Sequence, residues 1–151
     1  MTAPIRVIGV GQHYRGDDAA GLAVAARLQG SAGLDVHVGV PDAAWLLAQI
    51  EDQPCAIVID CVRGGGAPGS ILRLDAAAAA HLRTASTTSH GNALAEALAL
   101  GTALGCLPTR LVIFGIVGDR FALGDAMSPA VVAEIPALVD LVRAEALSPP
   151  P

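Results

Sequence analysis

The sequence predicts an α/β fold, a three-layer αβα sandwich around a twisted, mainly parallel sheet. Three observations carry this. Short apolar, β-branched runs alternate with segments of helical period along the whole chain, in the order β-α-β-α-β-(β)-α-β-α, and such alternation feeds parallel strands through helices on both faces. The first run, Ile5 to Gly11, is apolar on both faces, and "CAIVID" is more apolar still, as strands covered on both sides are. Hydrophobic residues make up 53% of 151 residues against 15% charged, enough to bury the core of one domain without staples.

Each element has its own punctuation. Ile5 to Gly11 is the first strand. Asp17 to Leu28 has helical spacing with two acids in its first turn, where carboxylates favour the positive end of the helix dipole, and Gly30 and Gly33 end it. Leu34 to Val40 alternates as a second strand. Pro41 and Asp42 open a short helix, roughly Ala43 to Glu51. Pro54 precedes the third strand, which ends at Asp60, and "RGGGAPG" is a loop. "SILRL" is a short strand at an edge, and Asp75 opens an alanine-rich helical turn through Arg83. "TASTTSH" is a polar connection. Gly91 to Ala103 is a helix that reads as buried and ends near Gly105 and Pro108, followed by the strand "RLVIFGI". Ser128 then caps a last helix with Pro129 at its first position, running to about Ala146. The tail "SPPP" is frayed. No internal repeat or linker is present, so residues 1–151 are expected to form a single domain with an ordered core from about 5 to 146.

Charge and composition narrow the partners. Nine Lys+Arg against fourteen Asp+Glu give a net charge of −5, and aromatics are only 3%. With no basic stripe and no stacking platform, nucleic acid is not an expected partner. Cys55, Cys61 and Cys106 are an odd count without C-x-x-C spacing, which suits reduced thiols in a cytoplasm. No signal-peptide pattern and no apolar run of about 20 residues is seen, so no membrane span is expected. No long exposed apolar helix face stands out, and a monomer is expected.

Ligands of open α/β sheets bind beyond the carboxyl ends of the strands, where the strand order reverses. The polar residues predicted there are Gln12, His13, Asp17 and Asp18 after the first strand, Asp60 after the third, Ser89 and His90 at a later helix start, and Asp119 after the last strand. Asp18, Asp60 and His90 form the cluster of interest, since two carboxylates and an imidazole suit a divalent metal. Plainer roles stand beside these. Asp17 and Asp18 also fit a helix start, and His90 an exposed one. His13, His37 and His81 read as surface residues. "RGGGAPG" reads as a flexible turn whose glycines, Gly64, Gly65 and Gly66, would also let it fold over a substrate chain. The loop "GVGQHYRGDDAAG" begins like a dinucleotide fingerprint but has Tyr14 at the third glycine position, and two acids would repel a pyrophosphate there. Neither a Ser-His-Asp pattern nor a G-x-S-x-G elbow is present. Cys61 is expected to point away from Asp60, because neighbouring strand residues alternate.

The segments "GVGQHYRGDDAAG", "IVIDCVRGGGAPGSILRL", "SHGNALAEALALG", "LPTRLVIFGI" and "MSPAVVAEIPALV" occur in this order from Ile5 to about Glu145. As an ordered set they resemble the [NiFe]-hydrogenase maturation peptidases. The resemblance implies a phosphorylase/hydrolase-like three-layer fold. It implies an endopeptidase that trims the C-terminal extension of a nickel-loaded [NiFe]-hydrogenase large-subunit precursor. It further implies nickel ligands at Asp18, Asp60 and His90. Two readings of the cleavage step stand side by side: the metal polarises the scissile carbonyl or activates a water, or Asp18 or Asp60 is catalytic as the general base on that water. Gln12 and Gly64 to Gly66 are the candidate substrate contacts. Nickel would arrive with the precursor, and in the free protein the site would be empty or hold another divalent cation. The family usually has Asn where this chain has Gln12 and commonly Gly where it has Ala19. Two alternatives follow: a peptidase-fold protein that only binds the precursor or nickel, and a small nucleotide-binding α/β module.

Overall fold

The computed structural model describes residues 2–79 and 93–148. Five strands, β1 (Ile5–Val10), β2 (Leu34–Gly39), β3 (Cys55–Val62), β4 (Ile71–Asp75) and β5 (Arg110–Val117), form one sheet in the order β2-β1-β3-β5-β4. The first four neighbours in that order run parallel, and β4 closes one edge antiparallel to β5. The α/β class with a mainly parallel sheet is therefore observed.

The helices are α1 (Ala20–Leu28), α2 (Ala43–Ile50), α3 (Ala76–Ala79), α4 (Ala93–Leu104) and α5 (Pro129–Leu147). Strand alternation divides the core in two. Ile57, Ile59 and Cys61 of β3 pack with α1 and α5, while Ala56 and Val58 pack with α2, α3 and α4. β1 is followed by β2 on one side and β3 on the other, so the strand order reverses between β1 and β3.

Several local signals act as expected. The Asp42 carboxylate accepts the Trp45 N–H at 2.7 Å and caps α2, and Asp75 accepts the Ala78 N–H at 2.8 Å. Gly30 and Gly33 take φ of 76° and 78° at the end of α1. Other expectations are corrected. Asp17 and Asp18 lie in a separate 3-10 turn, Gly16–Ala19, before α1 begins. β3 runs two residues past Asp60 because β5 pairs with it to Val62. α4 is buried on one face only, with Leu100 and Leu104 exposed. The polar connection, His81, Arg83 and His90 lie outside the described residues, as do residues 149–151.

Glu145, near the end of α5, ties the last helix to the sheet. Its carboxylate accepts two hydrogen bonds from Arg73 of β4, both at 2.8 Å, and a further, shorter one from Arg110 of β5. The Arg73 hydrogen bonds, followed by those of Arg110, outweigh burial and hold the Glu145 carboxyl down at about 2. Its folded-state value is lower than its unfolded one, so it stabilises the fold above the unfolded value and loses that contribution as acid titrates it. The difference in Tm between wild type and Glu145→Gln is expected to be full at pH 6 and to close between pH 4.5 and about 2. A gap that persists unchanged at pH 2 would show that the carboxylate charge is not what matters. Arg73 is half-exposed, so solvent screening discounts its share of that gap.

Candidate active site

The reversal between β1 and β3 is built for close approach. A Cβ at Gly21 would lie 2.4 Å from the Val10 carbonyl oxygen and 2.6 Å from that of Ile59. The start of α1 therefore sits against the ends of both strands, a position only glycine tolerates. Asp18 lies three residues before this contact and Asp60 one residue after it. The fold thereby brings together two acids that are 42 residues apart by their numbering. In a dinucleotide loop the third glycine supplies this close packing; here Gly21 supplies it, and Tyr14 is free to do something else.

Both carboxylates are buried. Asp60 Oδ1 accepts the Cys61 N–H at 2.8 Å. Asp18 Oδ1 has no hydrogen-bond partner among the described residues. Burial pushes the Asp60 carboxyl well above its ordinary value, and the neighbouring Asp18 charge pushes it further. Burial also raises Asp18, against the opposing charges of Arg15 and Arg63 and the Gln12 N–H. An unpaired buried carboxylate is costly, and two side by side are costlier. The donor set, two oxygen ligands with one buried oxygen unsatisfied, suits a hard or borderline divalent cation. Among the described residues no group of three His, Cys, Asp or Glu side chains converges to hold a metal ion, and His90, expected as the third ligand, lies outside them.

The adjacent acids divide the work in a way the sequence does not show. Asp17 is fully buried and saturated. Its carboxylate accepts N–H groups from Asp119 at 2.7 Å, Arg120 at 3.0 Å and Ser128 at 2.6 Å, and the Ser128 hydroxyl at 2.9 and 3.0 Å. Burial raises it, but these bonds outweigh burial and hold it below its ordinary value. Asp17 is thus a clamp between the loop after β1 and the loop after β5. Ser128 correspondingly makes no side-chain cap on α5, because its hydroxyl is committed to Asp17. Asp119 is exposed and contributes its backbone N–H.

The remaining candidates are placed as follows. Gln12 is half-buried, and its N–H lies 3.3 Å from the Asp18 carbonyl oxygen. Gly64, Gly65 and Gly66 are exposed with φ of 70°, 89° and 151°, a run of conformations that favours glycine. They follow β3 at the same sheet end as Asp60. His13 is exposed, and His37 pairs with Asp35 at 2.9 Å. Cys61 is buried in the α1/α5 core, on the face that Ile57 and Ile59 share with it by strand alternation. Burial and the surrounding acids raise its thiol, so it is held protonated. A cavity of about 870 Å³ opens at the other end of the sheet, among the strand starts Ile5, Leu34, Cys55 and Arg110, away from this chemistry. Among the described residues no helix is long and apolar enough to cross a membrane.

Known proteins share this fold. The fold is similar to that of the E. coli hydrogenase maturating endopeptidase HybD, with a TM-score of 0.82 at 23% identity over 94% of this chain and 91% of that one. It is also similar to the [NiFe] hydrogenase maturation protease HybD from Thermococcus kodakarensis, with a TM-score of 0.72 at 21% identity over 95% and 99%. No curated protein sequence gives a significant match. A sequence model described as hydrogenase maturation protease matches residues 41–145, a span that includes Asp60 and His90. That match covers well over half of the chain, and with the shared fold it shows that the protein belongs to the hydrogenase maturation protease family and is an endopeptidase of that family.

Proposed function

We propose that this endopeptidase removes the C-terminal extension of a nickel-loaded [NiFe]-hydrogenase large-subunit precursor, with the nickel carried by the precursor as the recognition signal. The observation that carries the proposal is the buried Asp18–Asp60 pair, with Asp18 Oδ1 unsatisfied among the described residues. Two desolvated carboxylates are disfavoured in the free protein and are compensated when a cation is delivered to them. A precursor without nickel offers no such cation and docks weakly. Cleavage then reports that metal insertion is complete.

Asp18, Asp60 and His90 would hold the nickel, leaving coordination positions for ligands of the precursor. The attacking nucleophile is water. No serine nucleophile motif is present, and the Cys61 thiol is buried and protonated. The carboxylate pair, titrating as a unit, accepts the proton of that water. Gln12 and the Gly64–Gly66 loop border the pair and hold the extended peptide. The expected setting is the cytoplasm.

The test is cleavage of a large-subunit precursor, prepared with and without nickel, with the released fragment followed by mass spectrometry. The fragment is expected only from the nickel-loaded precursor, and Asp18→Ala, Asp60→Ala and His90→Ala should each abolish it. A fragment from nickel-free precursor would overturn nickel recognition. Precursor binding with no cleavage by the wild type would identify a protein that only binds.

A further inference from the structure

The loop after β1 and the loop after β5 are laced together. Gly16 N–H donates to the Asp125 carbonyl at 3.0 Å, Asp17 N–H to that of Arg120 at 2.7 Å, and Gly124 N–H to that of Tyr14 at 2.7 Å. A Cβ at Gly16 would lie 2.3 Å from the Arg120 carbonyl oxygen, so the two backbones are as close as backbones come. The Asp17 carboxylate locks the same pair of loops from beneath. This double lacing holds two large side chains out in water: Tyr14 is 80% exposed and Leu123 72%.

Tyr14 is displayed at a cost. Its φ is 65°, in the left-handed region that bulky residues avoid. The chain has one Trp, one Tyr and two Phe. Phe114 is buried, Trp45 packs against the core, and Phe121 lies half-buried beneath the Arg63 guanidinium, 4.3 Å from its ring centroid. Of these four, Tyr14 is the one turned to solvent, its ring 6.1 Å from that of His13. The peptide that follows Leu123 donates its N–H to the Tyr14 carbonyl, so the two exposed residues share one rigid ridge. That ridge belongs to the same loop as Asp18, four positions upstream.

We propose that Tyr14 and Leu123 form a docking ridge for the precursor, taking an apolar side chain from the segment that flanks the scissile bond. The inference rests on the processing reading above. It is continuous with that site, since Tyr14 lies four residues before Asp18 in the loop after β1. Tyrosine is enriched among the residues that dominate binding energy at protein interfaces, and here the laced backbone fixes where it is presented, so little backbone freedom remains to be lost.

The experiment is steady-state cleavage of the nickel-loaded precursor by wild type, Tyr14→Phe, Tyr14→Gly and the double variant Tyr14→Gly/Leu123→Ser. Glycine accepts a φ of 65° without strain, so the fold survives, and Tm measured alongside should be equal to or above that of the wild type. KM is expected to rise about tenfold in the double variant with kcat within about twofold, and Tyr14→Phe should retain most of the affinity. An unchanged KM in a cleaving wild-type background overturns the ridge and leaves the processing reading standing. A fall in kcat at constant KM also overturns it, placing the residues in the chemistry instead. A wild type that cleaves no precursor overturns the processing reading and the ridge with it.

Discussion

Asp60→Asn is expected to lower precursor cleavage by about 10³-fold, the scale of a lost acid–base group, while raising the Tm of the free protein by about 3–5 °C. The two effects have one cause. Asp60 is buried beside Asp18, and the only hydrogen bond to it among those described is the Cys61 N–H. Asparagine keeps an Oδ1 for that N–H and removes the desolvated charge, a relief of about 1–2 kcal/mol, which for a chain of this size moves Tm by a few degrees. Thermal melts and cleavage rates on the same preparations check both halves. A Tm that falls by several degrees would mean that Asp60 is a structural carboxylate with a partner of its own, and the case for its catalytic role would weaken.

Asp17→Ala should have the opposite profile. It leaves three backbone N–H groups and the Ser128 hydroxyl without their shared acceptor in a buried setting. The expected cost is about 3–5 kcal/mol, a fall in Tm of about 10 °C, measured by denaturant or thermal melts. Asp17→Asn recovers only part of it, since an amide offers one acceptor oxygen where the carboxylate offers two. Activity should fall too, because the loop bearing Asp18 is no longer held. A variant that is as stable as wild type yet inactive would instead place Asp17 among the reacting groups.

These neighbours mark where sequence reading stops. The strands, the glycine stops of α1 and the Asp42 cap are local, set by residues within a few positions of one another, and they were readable. That Asp18 and Asp60 lie at the same sheet end is legible from the alternation of strands and helices, since both follow parallel strands; that β1 and β3 are neighbours is seen only in the fold. What separates Asp17 from Asp18 is not local. Asp17 finds its partners 102 to 111 residues away, and no pattern within the loop announces them. Ser128 differs from expectation for the same reason: Ser-Pro is a good cap by local rules, and a distant carboxylate claims its hydroxyl. The positive φ of Tyr14 is likewise imposed by the loop across from it. His90 lies outside the described residues, so its place in the cluster rests on sequence.

The Asp17 clamp also has a bearing on synthesis. A ribosome makes Asp17 and Asp18 early and the clamp's other half, Asp119 to Ser128, more than a hundred residues later. Contacts of that span form late, after the chain that must be looped back exists. The acid pair can therefore come close as soon as β1 and β3 align, but the loop that carries it stays unfastened until the segment leading into α5 has emerged and docked. A chain ending before Ser128 has both acids but lacks the groups that fasten the loop carrying them.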